Sequence, residues 1–267
     1  MFIRSFKPSL SYLKNWIADN TLNQETVYQL YLRLKWGVSQ PKGYPNASWE
    51  NGVLKTFHER DQAIQQVKDL GLHIFSDLPK NWDSLAALNK ILKHTNSEAN
   101  ILDAGAEIYS VILPWLYLYG YRKLQGINLV FNHEVKRGPI TYNYGDITQT
   151  NFPDQNFDAI TCLSVIEHGV DLEAYFKEMS RLLKPGGILM TSTDYYADPI
   201  DTKNQIAYGV PIHIFNREEI LEAFEIAKRF NLYLTNDINL DCKEKVVHWK
   251  DYNLDYTFIV FTMQKKS

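Results

Sequence analysis

Asp103 and Gly105 are the residues whose types and spacing first suggest chemistry in this chain. The apolar pair Ile101-Leu102 runs into Asp103, then Ala104, then Gly105, and a long apolar segment, Val111 to Tyr119, follows. That order reads as a buried strand, a tight turn and a helix. It is the opening unit of a nucleotide-binding α/β sheet, in which turn amides and a helix start face the ligand. No Gly-x-Gly-x-x-Gly follows this strand, so a nicotinamide dehydrogenase is a distant reading. Cys162 and Cys242 are the only cysteines; they lack metal-ligand spacing and cannot form a disulfide framework. No metal site is expected.

Elements that alternate along the chain must position that turn. Apolar strands are expected near 101–104, 126–131, 140–144, 157–163, 188–193, 232–235 and 256–263. Between them lie amphipathic helices. Asp171 caps the one whose stripe is Leu172, Tyr175, Phe176, Met179, Leu182 and Leu183. Asn216 with Glu219 three residues on resembles a capping box opening another. Lys184-Pro185-Gly186-Gly187 is expected to turn the chain into the fifth strand. The predicted fold class is α/β: a doubly wound, seven-stranded, mostly parallel sheet with helices on both faces. Residues 1–97 form an N-terminal helical accessory segment, and 98–267 the sheet domain.

In the first segment, Asn23 is expected to cap a helix in which Val27, Leu30, Tyr31 and Leu34 share one face. Ser39 to Gly52 is a loop by its Pro and Gly content. A second helix carries Phe57, Ile64, Val67 and Leu70. A third opens at Asp83 or Ser84, with Leu85, Leu88, Ile91 and Leu92 on its inner side.

Composition removes several classes of function. The chain has 267 residues and a net charge of -3, with no long basic run, so nucleic acid is not an expected partner. The start, Met1 to Pro8, has no sustained apolar core, which argues against a secretory signal. The longest apolar run is too short to span a bilayer. Together with the two cysteines, this makes a cytoplasmic protein with no membrane insertion the expectation.

The downstream order is what gives the opening turn its meaning. Gly126-Ile127-Asn128 lies at the second strand, Gly145-Asp146-Ile147 after the third, and Phe152 to Ile160 leads into the fourth. Ser164-Val165-Ile166-Glu167-His168 follows the fourth, and Leu182 to Gly187 precedes the fifth. This series, over about 100–190, resembles the class I S-adenosylmethionine-dependent methyltransferases. The likeness is to the small-molecule, type 11-like branch that includes the quinone-biosynthesis C-methyltransferases.

The resemblance implies a set of cofactor-binding residues. Asp103 and Gly105 match the loop against the methionine part of S-adenosylmethionine. Asn128 stands where an acidic residue usually grips the ribose. Asp146 accepts from the adenine amine, and Ile147 packs on the ring. Leu163 and Ser164 border the reacting methyl. The expected reaction is methyl transfer to an oxygen, nitrogen or carbon of a small-molecule acceptor. His168 and His213 are the candidate bases, and Asp194, Tyr195 and Tyr196 border the acceptor. Glu107 and Tyr109 depart from the family, because they occupy its second and third glycine positions. They keep open a second function: a non-catalytic binding or scaffold protein of the same fold. Part of 1–97, with the loop Asp194 to Pro211 opposite, is expected to wall the acceptor pocket.

Overall fold

The computed structural model describes residues 19–38 and 40–266. The stretch Met1 to Pro8 and the residue Ser39 lie outside the described residues.

Side-chain alternation along buried strands builds the sheet. In β2 (Asn100–Ala104), Ile101 belongs to one core cluster and Leu102 to the other, as the two-residue strand period requires. β2 lies at the centre. It pairs in parallel with β3 (Lys123–Asn128) on one side and β6 (Phe157–Leu163) on the other. β5 (Ile140–Tyr144) extends the sheet in parallel beyond β3, and β4 (Val135–Arg137) closes that edge antiparallel. Beyond β6 come β7 (Leu183–Tyr195), parallel, and β12 (Leu254–Lys265), antiparallel.

β8 (Ile206–Ala207) and β9 (Val210–Pro211) form a separate antiparallel pair, and the outer side of β12 takes β1 (Gly52–Val53), β10 (Leu232–Leu234) and β11 (Val247–Trp249). The seven expected strands are therefore present as β2, β3, β5, β6, β7, β10 and β12, and β1, β4 and β11 are additions.

One face of the sheet packs on α1 (Glu25–Trp36), α2 (Phe57–Asp69), α3 (Lys80–His94) and α4 (Ile112–Leu118). The other face packs on α5 (Leu172–Leu182) and α6 (Arg217–Arg229). The caps of α5 and α6 are as the sequence predicts: Asp171 accepts from Glu173 N and Ala174 N, and Asn216 with Glu219 forms a full capping box.

Three local expectations are corrected. α3 opens at Lys80, not at Asp83 or Ser84, because both of those side chains are buried within the helix. β7 begins at Leu183, so Lys184 to Gly187 lies inside the strand. There Gly186 has φ +80°, and the pairing with β6 shifts register opposite Asp158. In α1, Tyr28 and Leu32 are buried, whereas Val27, Leu30 and Leu34 are exposed. The helix turns the opposite stripe inward because Tyr28 packs on Tyr117 of α4.

The 1–97 segment, as far as it is described, shares one hydrophobic cluster with the sheet. Among the described residues, no helix is long and apolar enough to cross a membrane.

Candidate functional site

The turn after β2 is strapped to β3. Gly105 N and Ala106 N both donate to Ile127 O, at 2.8 and 2.9 Å. Asn128 Nδ2 donates to Gly105 O at 3.1 Å, and Asn128 Oδ1 accepts from Val130 N at 3.2 Å. Gly105 has φ +92°, and a Cβ there would lie 2.3 Å from Val165 Cγ2. Only glycine meets both conditions without displacement.

The turn does not run directly into a helix, as the sequence suggested. Residues 107–110 close on themselves: Ser110 N donates to Glu107 O, and Glu107 N to Ser110 Oγ. α4 starts only at Ile112.

Asp103 is buried at the end of β2 and accepts from Thr161 Oγ1 of β6 at 2.7 Å. Burial pushes its carboxyl up to about 7, against the pull of the Thr161 bond. Glu107 is half-buried, and burial raises its carboxyl too. Tyr109 is 65% exposed and stacks on Phe75 with centroids 6.1 Å apart. The two side chains at glycine positions thus lie apart from the straps that hold the turn.

Asp146 follows β5. Its Oδ1 accepts from Thr148 N at 2.8 Å and Thr148 Oγ1 at 2.6 Å, and its other oxygen has no partner among the described residues. Ile147 is buried in the cluster that holds Ala104 and Ile127. Leu163 ends β6. Ser164 takes φ +54°, which is uncommon for a non-glycine residue, and its N donates to Ser192 O at 2.9 Å. Its hydroxyl is shielded from solvent and has no hydrogen-bond partner among the described residues. All of these residues lie at or just beyond the carboxyl ends of the parallel strands.

The two candidate imidazoles have different surroundings. His168 stands edge-to-face with Tyr208 at 5.4 Å, beside the strand ends. His213 stands 3.4 Å from Glu219 of the α6 capping box and edge-on to Phe215. Among the described residues, their ring and ion-pair contacts are with different side chains.

A group of ionisable side chains that the motifs did not single out together gathers beside His168. Glu167 and Asp194 are buried, and Thr193 Oγ1 donates to Glu167 Oε2 at 3.0 Å. The Tyr256 hydroxyl lies near Asp194 and Glu167, and burial together with those carboxyls raises it. Asp83 of α3 accepts from Ser192 Oγ at 2.6 Å. Lys80 lies with its ammonium 4.2 Å from the Phe258 ring centroid. Burial, reinforced by the charge of Glu167, pushes the Asp194 carboxyl well above its usual range. Burial would lower Lys80, but Asp83, Glu167, Asp194 and Asp77 outweigh it and raise the ammonium. The Asp-x-x-Lys-x-x-Asp pattern of 77–83 is the available signal, but sequence spacing reads Asp83 as a helix cap.

A family described as "Methyltransferase domain" matches residues 124–191, a span that begins after the Asp103–Gly105 turn. The sterol 24-C-methyltransferase of Aspergillus fumigatus is 28% identical over 116 residues, covering 41% of this chain and 31% of that protein. The chain thus aligns with about a third or less of the length of the curated relatives it matches.

Two solved structures show the likeness in fold. The geranyl diphosphate C-methyltransferase of Streptomyces coelicolor has a TM-score of 0.50 at 16% identity, covering 89% of this chain and 98% of that one. A (4+2) cyclase, SpnF, has a TM-score of 0.51 at 16% identity, covering 91% and 95%.

Proposed function

We propose that this chain, a class I S-adenosylmethionine-dependent methyltransferase by fold and by matched segment, transfers a methyl group from S-adenosylmethionine to a small-molecule acceptor. The observation that carries the reading is Asp146. It lies inside the matched segment, with one carboxylate oxygen pinned by Thr148 and the other free.

The residues present fit the cofactor. The pinned Asp146 offers an acceptor for the adenine amine. Asn128 keeps one amide hydrogen for a ribose hydroxyl while its other bonds hold the turn. Asp103 and Gly105 would flank the methionine end, and Ile147 would lie against the adenine side. Ser164 has an unspent buried hydroxyl, which a bound ligand would satisfy. When bound, S-adenosylmethionine supplies an electrophilic methyl on a sulfonium centre. The chain's own part is to align the acceptor and exclude water at the ends of β6 and β7, where alignment contributes up to about 7–11 kcal/mol in well-oriented cases. His168, beside those strand ends, is the imidazole that we assign to receiving an acceptor proton. His213 serves the α6 start.

Two observations favour a second reading, in which the same fold binds a ligand without methyl transfer. Glu107 and Tyr109 replace glycines, and a cyclase shares the fold. Titration calorimetry with S-adenosylmethionine, followed by detection of S-adenosylhomocysteine during incubation with acceptor panels, separates the two. Binding with turnover supports the transferase, and binding without turnover supports the second reading.

A further inference from the structure

His168 is held by a ring contact rather than by its nitrogens. Its backbone N donates to Val165 O at 3.1 Å, but neither ring nitrogen has a hydrogen-bond partner among the described residues. His94, His133 and His248 each bond through the ring, and His213 stands 3.4 Å from Glu219. An imidazole that moves a proton is usually oriented by a hydrogen bond at its second nitrogen. In place of that bond, His168 meets the Tyr208 ring at 78° between planes and 5.4 Å between centroids.

Tyr208 reaches this place against the preference of its own backbone. β8 and β9 pair Ala207 with Val210 and Ile206 with Pro211, so Tyr208 and Gly209 make a two-residue turn. Both have positive φ, +54° and +84°, as a type I′ turn requires. Asn, Asp and Gly take the first of these positions readily, and a bulky tyrosine does not. Burial does not compensate, because Tyr208 is 84% exposed. A residue that strains its turn without being buried points to a role in the site rather than in the fold.

Neighbouring elements fix the ring from two sides. Val210 of the same hairpin lies over the loop that carries His168: a Cβ on Gly169 would be 3.9 Å from Val210 Cγ1. Behind Tyr208, Trp249 of β11 stacks at 6.4 Å with 24° between planes, and Tyr252 stands edge-on to Trp249 at 4.5 Å. His248, beside Trp249, bonds Asp255 of β12 at 2.6 Å. The run Tyr252–Trp249–Tyr208 thus ties two hairpins to one imidazole.

We propose that Tyr208 is a positioning residue, whose ring sets the orientation of the His168 imidazole and leaves its nitrogens free to meet the acceptor. This rests on the methyl-transfer reading above, in which His168 receives the acceptor proton.

The test compares the full chain with Tyr208→Asn and Tyr208→Phe. Side-chain NMR resolves the seven histidines, and His168→Gln identifies the His168 signals. The Tyr208 ring current displaces those signals in the parent chain. Tyr208→Asn should return them towards free-histidine values, and Tyr208→Phe, which keeps the ring, should hold the displacement. Thermal melts should show Tyr208→Asn at least as stable as the parent, because Asn suits the left-handed turn position. With S-adenosylmethionine and an acceptor from the panel above, kcat should nevertheless fall about three- to tenfold in Tyr208→Asn, the worth of one aromatic pair, at unchanged KM for S-adenosylmethionine. Tyr208→Phe should restore it. Unmoved His168 signals or an undiminished kcat in Tyr208→Asn, a stability loss in step with its rate loss, or no restoration by Tyr208→Phe overturns the proposal. A parent chain that binds no S-adenosylmethionine or turns over no acceptor would instead overturn the methyl-transfer reading.

Discussion

Ser192 of β7 donates a 2.6 Å hydrogen bond to Asp83 of α3, joining residues 109 positions apart and both out of contact with solvent. The bond anchors the start of α3 to the carboxyl end of the sheet. Ser192→Ala leaves the buried Asp83 carboxyl without that donor and should lower stability by about 1–3 kcal/mol. Denaturant unfolding measures it, with an unchanged m-value expected.

Gly105→Ala should be more damaging. The new Cβ meets Val165 at 2.3 Å in a backbone held at φ +92°. Overpacking costs about 1–3 kcal/mol, and the left-handed conformation about 1–2 kcal/mol more for a residue with a side chain. Adding Val165→Ala should recover the overpacking part and leave the backbone part, as thermal melts of the single and double variants would show.

The pH dependence of stability carries the mark of Asp103. Burial raises its folded carboxyl from 3.8 to about 7. The folded state therefore holds this proton more tightly than the unfolded chain does. The stability it contributes is complete below 3.8 and is lost as pH rises through about 7. Asp83 and Asp194, also raised by burial, act in the same direction. Glu178 is lowered by the Arg181 and Thr150 bonds that outweigh its burial, so its contribution is lost as pH falls. Asp103→Asn should flatten the stability profile between pH 4 and 7 by up to about 1.4 kcal/mol per pH unit. An unchanged slope in the variant would show that the Asp103 carboxyl does not titrate in that window.

Glu107→Gly tests whether the altered turn is rebuilt or merely degraded. Glu107 closes the 107–110 turn through Ser110 at both its N and its O. Glycine would loosen that closure by about 0.5–1 kcal/mol. The variant should therefore bind S-adenosylmethionine about threefold more weakly by calorimetry. Tighter binding would mean that the carboxylate opposes the ligand.

The parts of the structure legible in the sequence are those that local chemistry decides. Asp171 and Asn216 are caps because their side chains satisfy amides two and three residues on. The parallel strands are near-continuous apolar runs because both faces are covered. The polar cluster at the strand ends was not legible as a unit. Asp83, Lys80, Glu167 and Asp194 come from three separated stretches, and only packing brings them together. Asp83 in particular looks like a helix cap and is a buried acceptor for Ser192. The α1 stripe misleads for the same reason. Val27, Leu30 and Leu34 have helical spacing, but Tyr28 and Leu32 are the buried pair, with Tyr28 against Tyr117 of the neighbouring helix. Glu107 and Tyr109 are visible departures, yet their effect depends on side-chain direction, which spacing does not encode.

The central claim is that Asp146 anchors S-adenosylmethionine at the carboxyl edge of this sheet, and one measurement addresses it directly. S-adenosylmethionine is titrated by calorimetry into the parent chain and into Asp146→Ala, with far-UV circular dichroism confirming that both are folded. The account predicts saturable binding by the parent and a loss of about 1.5–3 kcal/mol in the variant, the range for a hydrogen bond to a charged partner. Equal affinity in a folded variant, or no binding by the parent chain, would contradict it.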